Sequence, residues 1–307
     1  MMSYAPNVRF CEVILNGEYE GLYVMTEVIT GGKDGARLGL RVNSKRSIFS
    51  GYLLRLDHQH VDEEALNSFT TYTYKTPFLL QIEYPGNRNR DAKLTEEIRQ
   101  DFSRFEKTLY SYDYDREKYG YTSMIDVDSF VDYFIINELS SNADAGNYST
   151  YIYKGTDNLY RMCVWDFNNA CNNYFEEELP YTGFFLNNRL WFEMLIKDED
   201  FTERIIQRYH SLRKGLLSEE SLYRYIDETL DFIAPALERN DARWGSVEQQ
   251  AKGLLVPVSR NLDSRSAAEG QLKGYLRNRG KWLDENIETL RQYSASSRVK
   301  QYNEVND

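Results

Sequence analysis

The stretch 142–168, N-A-D-A-G-N-Y-S-T-Y-I-Y-K-G-T-D-N-L-Y-R-M-C-V-W-D-F-N, constrains this chain more than any other. It sets one carboxylate, Asp144, in a polar turn that follows a helical pattern. A strand pair comes next, and a second carboxylate, Asp166, stands where the second strand runs out. Acids at loop and strand ends can meet solvent and a divalent cation, whereas an acid inside an apolar strand would have to be neutralised. A hairpin returns its two ends to one place, so acids about twenty residues apart can converge on a single ligand. Each acid alone also fits a plainer role, as a helix-end turn residue or an N-cap.

The chain around this stretch divides by the period of its apolar residues. Residues 8–15 and 20–28 read as strands flanking Asn16-Gly17, a dipeptide suited to positive φ, with Gly21 leaving room for another backbone to approach. Residues 51–57 and 78–84 read as two further strands, the second ended by Pro85-Gly86. The glycine-rich run 30–35 lacks both phosphate-loop spacings and reads as a turn. Helical spacing then takes over at 94–109, where Ile98, Phe102, Phe105 and Leu109 share a face and Thr95 lies near the start. A Tyr-, Asp- and Gly-rich connector, 110–120, precedes a second helix over 126–140, with Asp126 or Asp128 as its cap. Helical patterns fill 189–196, 198–216, 218–238 and 264–291, Trp191, Trp244 and Trp282 are expected as core anchors, and the polar tail 295–307 is expected to fray. Strands first and helices after give an α+β chain: a strand-rich lobe over 1–110 with its following helix, and a mostly helical lobe over 111–307 that carries the 142–168 hairpin.

Charge and composition exclude several classes of function. With 37 basic against 48 acidic residues the net charge is −11, and no basic cluster offers a track for phosphates, so nucleic acid is not an expected partner. That charge favours basic or neutral protein partners over acidic ones. Three cysteines, Cys11, Cys163 and Cys171, share no C-x-x-C spacing and indicate neither a disulfide framework nor a zinc knuckle. No run reaches the roughly 18–20 apolar residues of a membrane span, and no export signal is visible. His58 and His60 share one side of an extended segment, but no further Cys or His lies nearby to complete a metal site. The 25 Tyr and 15 Phe fit a Tyr-rich core better than an aromatic sugar-binding platform.

Several segments together resemble one family. F-V-D-Y-F-I-I-N-E-L-S-S-N-A-D-A-G-N-Y-S-T-Y-I-Y-K followed by V-W-D-F-N, the N-terminal L-N-G-E-Y-E-G-L-Y-V-M-T-E-V-I, and the C-terminal R-L-W-F-E-M-L-I-K-D-E-D-F, E-R-N-D-A-R-W and L-K-G-Y-L-R-N-R-G-K-W-L are similar to the CotH family, named for a spore-coat protein. The resemblance covers nearly the whole chain. It implies an atypical protein-kinase-like fold, and a strand lobe truncated at its N-terminus, since family members carry a further segment ahead of the first strand pair. It also implies transfer of the ATP γ-phosphoryl group, with Mg²⁺ or Mn²⁺, to serine in coat or secreted proteins.

Carried over by position, the resemblance makes Asp144 the catalytic base and Asp166 the metal-binding acid. Asn147 becomes a neutral oxygen ligand near the nucleotide. Phosphoryl transfer needs such a division, one carboxylate to take the hydroxyl proton and another to hold the metal against phosphate oxygens. Two positions depart from the family pattern. Asn168 stands as the second metal ligand where W-D-x-D is common, contributing an oxygen without charge. Arg55 stands where a strand-end lysine would face the nucleotide phosphates, and an ion pair with Asp57 or Glu27 is its other expected role. The alternatives are an inactive CotH-like surface-assembly protein and an extracellular glycan-binding module. The resemblance suggests an extracellular, cell-surface or coat-associated setting, and sequence leaves the compartment and the oligomeric state open.

Overall fold

The computed structural model describes residues 2–31, 37–43, 48–58, 64–69, 79–246 and 254–297, without the side chains of 41–43 and 48–50. Strand β1 (Val8–Leu15) pairs antiparallel with β2 (Glu18–Thr26) around Asn16 and Gly17, whose φ values of 53° and 87° are those of the expected turn. A short antiparallel pair follows, β3 (Arg41–Asn43) with β4 (Ile48–Ser50). Then β5 (Tyr52–Asp57) and β6 (Leu79–Tyr84) enter a four-stranded antiparallel sheet.

The other two strands of that sheet are β7 (Thr150–Lys154) and β8 (Tyr160–Cys163), and the order is β6–β5–β7–β8. The hairpin expected with the helical lobe thus hydrogen-bonds to β5, and the sheet joins strands from both sides of residue 110. Central β5 buries Tyr52, Leu53, Leu54 and Leu56, as a strand flanked on both edges and covered on both faces must.

Helix α1 (Ala92–Leu109) lays Ile98, Phe102, Phe105 and Leu109 against the sheet, each fully buried and worth roughly 1.5–3 kcal/mol. Its cap is Asp91, which accepts from Leu94 N at 2.8 Å; Thr95, near the expected start, donates its hydroxyl to Asp91 O. Helix α2 (Val127–Ser140) is capped by Asp126, as its sequence predicts, through a bond from Ser129 N. It buries Phe130, Val131, Phe134 and Leu139 in the core that runs from Tyr52 to Leu290. Helices α3 (Leu190–Leu195), α4 (Glu199–Arg213), α5 (Glu219–Trp244) and α6 (Arg265–Asn286) follow, and the described residues make an α+β chain.

Tyrosines fill much of this core, and their hydroxyls find acceptors: Tyr121 donates to Asp198 at 2.6 Å and Tyr209 to Asp284 at 2.7 Å. A tighter knot fixes α1 to the sheet. Asp101 of α1 accepts from Lys154 Nζ (2.6 Å), Tyr52 (2.9 Å) and Tyr160 (3.0 Å), all buried.

Of the three tryptophans expected as anchors, Trp191 is buried and Trp282 packs against the core, but Trp244 is 46 % exposed. It ends α5, which runs past the expected end at residue 238 to reach β2, where the indole donates to Glu20 O at 2.8 Å. What approaches Gly21 is accordingly side chain rather than backbone, since a Cβ there would lie 2.7 Å from Asn240 Oδ1. Among the described residues no helix is long and apolar enough to cross a membrane. The run 30–35 and the tail 295–307 fall mostly outside the described residues.

Candidate functional site

Helix α2 ends in a left-handed cap at Ser141 (φ 47°) and releases the chain into the turn that carries Asp144. The turn is held by its own polar side chains. Asn142 donates to Asn137 Oδ1 at 3.0 Å, and its own Oδ1 accepts from Asp144 N at 3.3 Å. Asp144 O then accepts from the N–H groups of Asn147 and Tyr148 at 2.9 and 2.8 Å. Arg189 clamps the turn from outside, donating one nitrogen to Ala143 O (2.7 Å) and Ala145 O (2.9 Å). Gly146 has φ +79°, and a Cβ there would meet Leu186 at 2.9 Å, so only glycine lets the turn sit this close.

Beneath the turn lies a closed ion pair. Glu138, in the last turn of α2, accepts from Arg279 of α6 at 2.7 Å and from the N–H groups of Phe185 and Leu186. Arg279 spends its other donors on the carbonyls of Glu138, Tyr181 and Gly183. Burial pushes the Glu138 carboxyl above its ordinary range, against the pull of Arg279 and the two amides, and burial lowers Arg279 likewise. The pair ties α2, α6 and the segment before α3 into one support for the turn.

The β7–β8 hairpin returns the chain to this support. Asp166 follows β8 with φ 55°, and Ser149, just ahead of β7, has φ 48°. Two adjacent non-glycine residues in the left-handed region mark backbone held by its surroundings, a condition concentrated at functional sites. Ser149 Oγ donates to Asp166 Oδ2 at 3.4 Å, the long end of a hydrogen bond. In the other direction Asn169 Nδ2 donates to Asp144 Oδ2 at 2.7 Å. Each acid is therefore tied to the segment that carries the other. Among the described residues neither Asp144 nor Asp166 has a Lys, Arg or His partner within ion-pair distance.

The remaining predicted residues are placed around this crossing. Asn147 lies half-buried in the Asp144 turn. Asn168 is exposed, between Asp166 and Asn169, and its carbonyl accepts from Asn173 at 2.7 Å. Arg55 lies on β5, paired with Asp57 (3.4 Å) and Glu83 (3.2 Å), and donates to Gln81 at 2.9 Å. The expected pair with Asp57 forms; the one with Glu27 does not, because Glu27 binds Arg37 instead. In the β5–β7 register Leu56 lies opposite Thr150, so Asp57 comes level with Ser149. The His58 ring stacks on Tyr148 with centroids 3.7 Å apart, a contact that occupies one face of His58; His60 lies outside the described residues.

Sequence reasoning did not single out Asn169, Ser149, Tyr148 or Arg189. The Asn168-Asn169 doublet and the serine ahead of the strand were visible beside the two acids, but nothing local to Arg189 reports a contact more than forty residues away. As a donor set the site offers two carboxylates, neutral amide oxygens and a hydroxyl. These are hard oxygen ligands of the kind Mg²⁺ or Mn²⁺ accepts alongside water. Among the described residues no three His, Cys, Asp or Glu side chains are grouped to hold a metal by themselves. A cation here would need Asp166, an amide oxygen and oxygens from its substrate.

Compared with known proteins, residues 1–283 match the family model described as CotH kinase protein. No curated protein matches the chain.

Proposed function

This chain belongs to the CotH kinase family, and on that premise we propose that it transfers the γ-phosphoryl group of ATP to a serine hydroxyl of a protein substrate. The observation that carries the reading is the crossing itself: two carboxylates, each held by a neutral donor from the other's segment and, among the described residues, neither ion-paired. In this reading Asp144 orients the acceptor hydroxyl and takes its proton as the serine Oγ–P bond forms. The bond from the γ-phosphorus to the bridging oxygen breaks, and ADP leaves with the electron pair. Asn169 fixes the rotamer of Asp144 without taking its charge.

Asp166 and Asn168 would hold the divalent metal, Mg²⁺ or Mn²⁺, with Asn147 as a further neutral oxygen. When bound, the metal neutralises the developing charge on the phosphate oxygens. Arg55 lies at the same end of the sheet, and to reach a phosphate its guanidinium would exchange Asp57 or Glu83 for it. Without that exchange its role is to position β5 and β6.

A second reading has its own observation. With Asn168 in place of an acid, and no third carboxylate grouped at the site among the described residues, the chain would bind nucleotide and metal without turnover. Calorimetry of ATP with Mg²⁺ or Mn²⁺ on the wild type and Asp166→Ala, beside transfer of labelled γ-phosphate on Asp144→Ala, separates the two. The kinase reading expects binding lost in the first variant and transfer lost in the second. Metal-dependent binding with no transfer to any of several acceptors establishes the inactive relative, and no nucleotide binding removes both.

A further inference from the structure

His58 is exposed at the end of β5, and its ring lies face to face on Tyr148, with centroids 3.7 Å apart and planes inclined by 17°. The β5–β7 register explains why these two meet. Leu56 lies opposite Thr150, so Asp57 is level with Ser149 and His58, one residue further, is level with Tyr148. The strand β7 begins at Thr150, since Ser149 with φ 48° leaves the extended region and ends the backbone ladder. Beyond that break the pairing continues as side chains, a cross-strand aromatic pair of the kind that stabilises antiparallel sheets.

Tyr148 also closes the turn that carries Asp144. Its N–H donates to Asp144 O at 2.8 Å, and its carbonyl accepts from Thr150 Oγ1 at 2.9 Å. Asn142 ties this turn to α2 and Arg189 ties it to the start of α3, whereas His58 ties it to β5. The backbone of His58 is placed in turn by Asp57, whose Oδ1 accepts from His58 N at 2.8 Å while its Oδ2 pairs with Arg55 at 3.4 Å. A short run of contacts therefore leads from Arg55 on β5 to the backbone of Asp144.

We infer that His58 is a positioning residue: stacked on Tyr148, it sets where the Asp144 turn lies relative to β5 and Arg55. The kinetic consequence rests on the reading of Asp144 as the proton acceptor of phosphoryl transfer; the placement of the turn does not. A base shifted from its productive position loses rate rather than nucleotide affinity. The stack needs an aromatic face and not a charge, so phenylalanine should serve in place of histidine.

Because His58 is exposed, neither His58→Ala nor His58→Phe opens a cavity in the core. Amide hydrogen exchange in the full chain, with neither nucleotide nor metal, reads the turn directly. Tyr148 N–H should exchange about fivefold faster in His58→Ala and stay within about twofold of wild type in His58→Phe, while the Leu139 amide of α2 is unchanged in both. In transfer of labelled γ-phosphate from ATP, kcat should fall about fivefold in His58→Ala with KM for ATP within about twofold, and return in His58→Phe. Unchanged Tyr148 exchange in His58→Ala, equal acceleration at Leu139, or a His58→Phe variant that behaves like His58→Ala overturns the inference. So does a raised KM at unchanged kcat, which would make His58 a nucleotide contact. A wild type that transfers no phosphate removes the kinase reading instead, and Tyr148 exchange still decides whether His58 places the turn.

Discussion

Glu138 and Asp144 are six residues apart, one in the last turn of α2 and one in the turn that follows, and their surroundings treat them in opposite ways. Glu138 is buried, paired with Arg279 and capped by two backbone N–H groups. Asp144 is half-buried and, among the described residues, its carboxylate accepts one bond, from a neutral amide. Asp101 of α1 and Asp166 after β8 repeat the contrast, the first enclosed by Lys154 and two tyrosines, the second exposed beside Ser149. The closed acids have no coordination left to offer. The open acids each make one hydrogen bond to a neutral donor among the described residues and keep lone pairs unused.

The largest effect should come from the open pair. Asp144→Ala and Asp166→Ala should each lower phosphoryl transfer by about 10³- to 10⁴-fold, with unfolding free energy changed by less than about 1 kcal/mol. Transfer assays and denaturant unfolding on the same preparations check both halves. A variant that loses activity only in proportion to lost folded protein would place Asp144 or Asp166 with the closed acids.

The closed pair should behave in reverse. Arg279→Met leaves Glu138 buried and uncompensated and should cost about 3–5 kcal/mol, with a drop of roughly ten degrees in Tm. Transfer per folded molecule should change little. Combining it with Glu138→Gln should restore part of the loss, because the charge that lost its partner is then gone. If Arg279→Met unfolds with wild-type midpoints, the ion pair contributes no more than an exposed one.

Much of this contrast was legible in the sequence. The spacing of Ile98, Phe102, Phe105 and Leu109 specified α1, Asp126 announced the start of α2, and the polar turn, strand pair and acid of 142–168 appear as read. What stayed hidden is non-local. No local pattern reports that β7 pairs with β5, a strand about a hundred residues earlier, and it is this pairing that brings Arg55 and Asp57 to the Asp166 end of the sheet. The exposure of Trp244 was missed for the same reason: helical periodicity shows which face is apolar, but not that α5 extends to meet the β1–β2 hairpin. The roles of Arg189 and Arg279 likewise rest on carbonyls and carboxylates far off in the chain.

A smaller change should sharpen the open side. Asn168→Asp restores a charge beside Asp166 and should tighten Mn²⁺ binding by about tenfold, near 1.4 kcal/mol. Titration of Mn²⁺ followed by water-proton relaxation reads this without any turnover. Transfer should rise with it if metal occupancy limits the wild type. An unchanged Mn²⁺ affinity would mean that the Asn168 side chain does not face the cation.

The smallest effect belongs to an acid between the two extremes. Asp157 is 50 % exposed and bound by Arg161 at 2.6 Å, and that hydrogen bond holds its carboxyl down at about 2, from an ordinary 3.8. A folded pKa below the unfolded one adds stability that is complete above 3.8 and is lost as pH falls through about 2. Glu138 has the opposite sign: its raised folded pKa favours the native state at low pH, and that contribution is lost as pH rises through the folded value. Solvent screening at a half-exposed pair keeps the Asp157 contribution below about 1 kcal/mol, so Asp157→Asn should barely move the unfolding midpoint at neutral pH. The carboxyl ¹³C shift of Asp157 should report the pair more sensitively than stability does. It should titrate near pH 2 in low salt and move toward 3.8 as salt is raised, since an exposed pair is screened and a buried one is not. A midpoint that ignores salt would mean that the Asp157 pair is shielded from solvent and belongs with the closed acids rather than between the two classes.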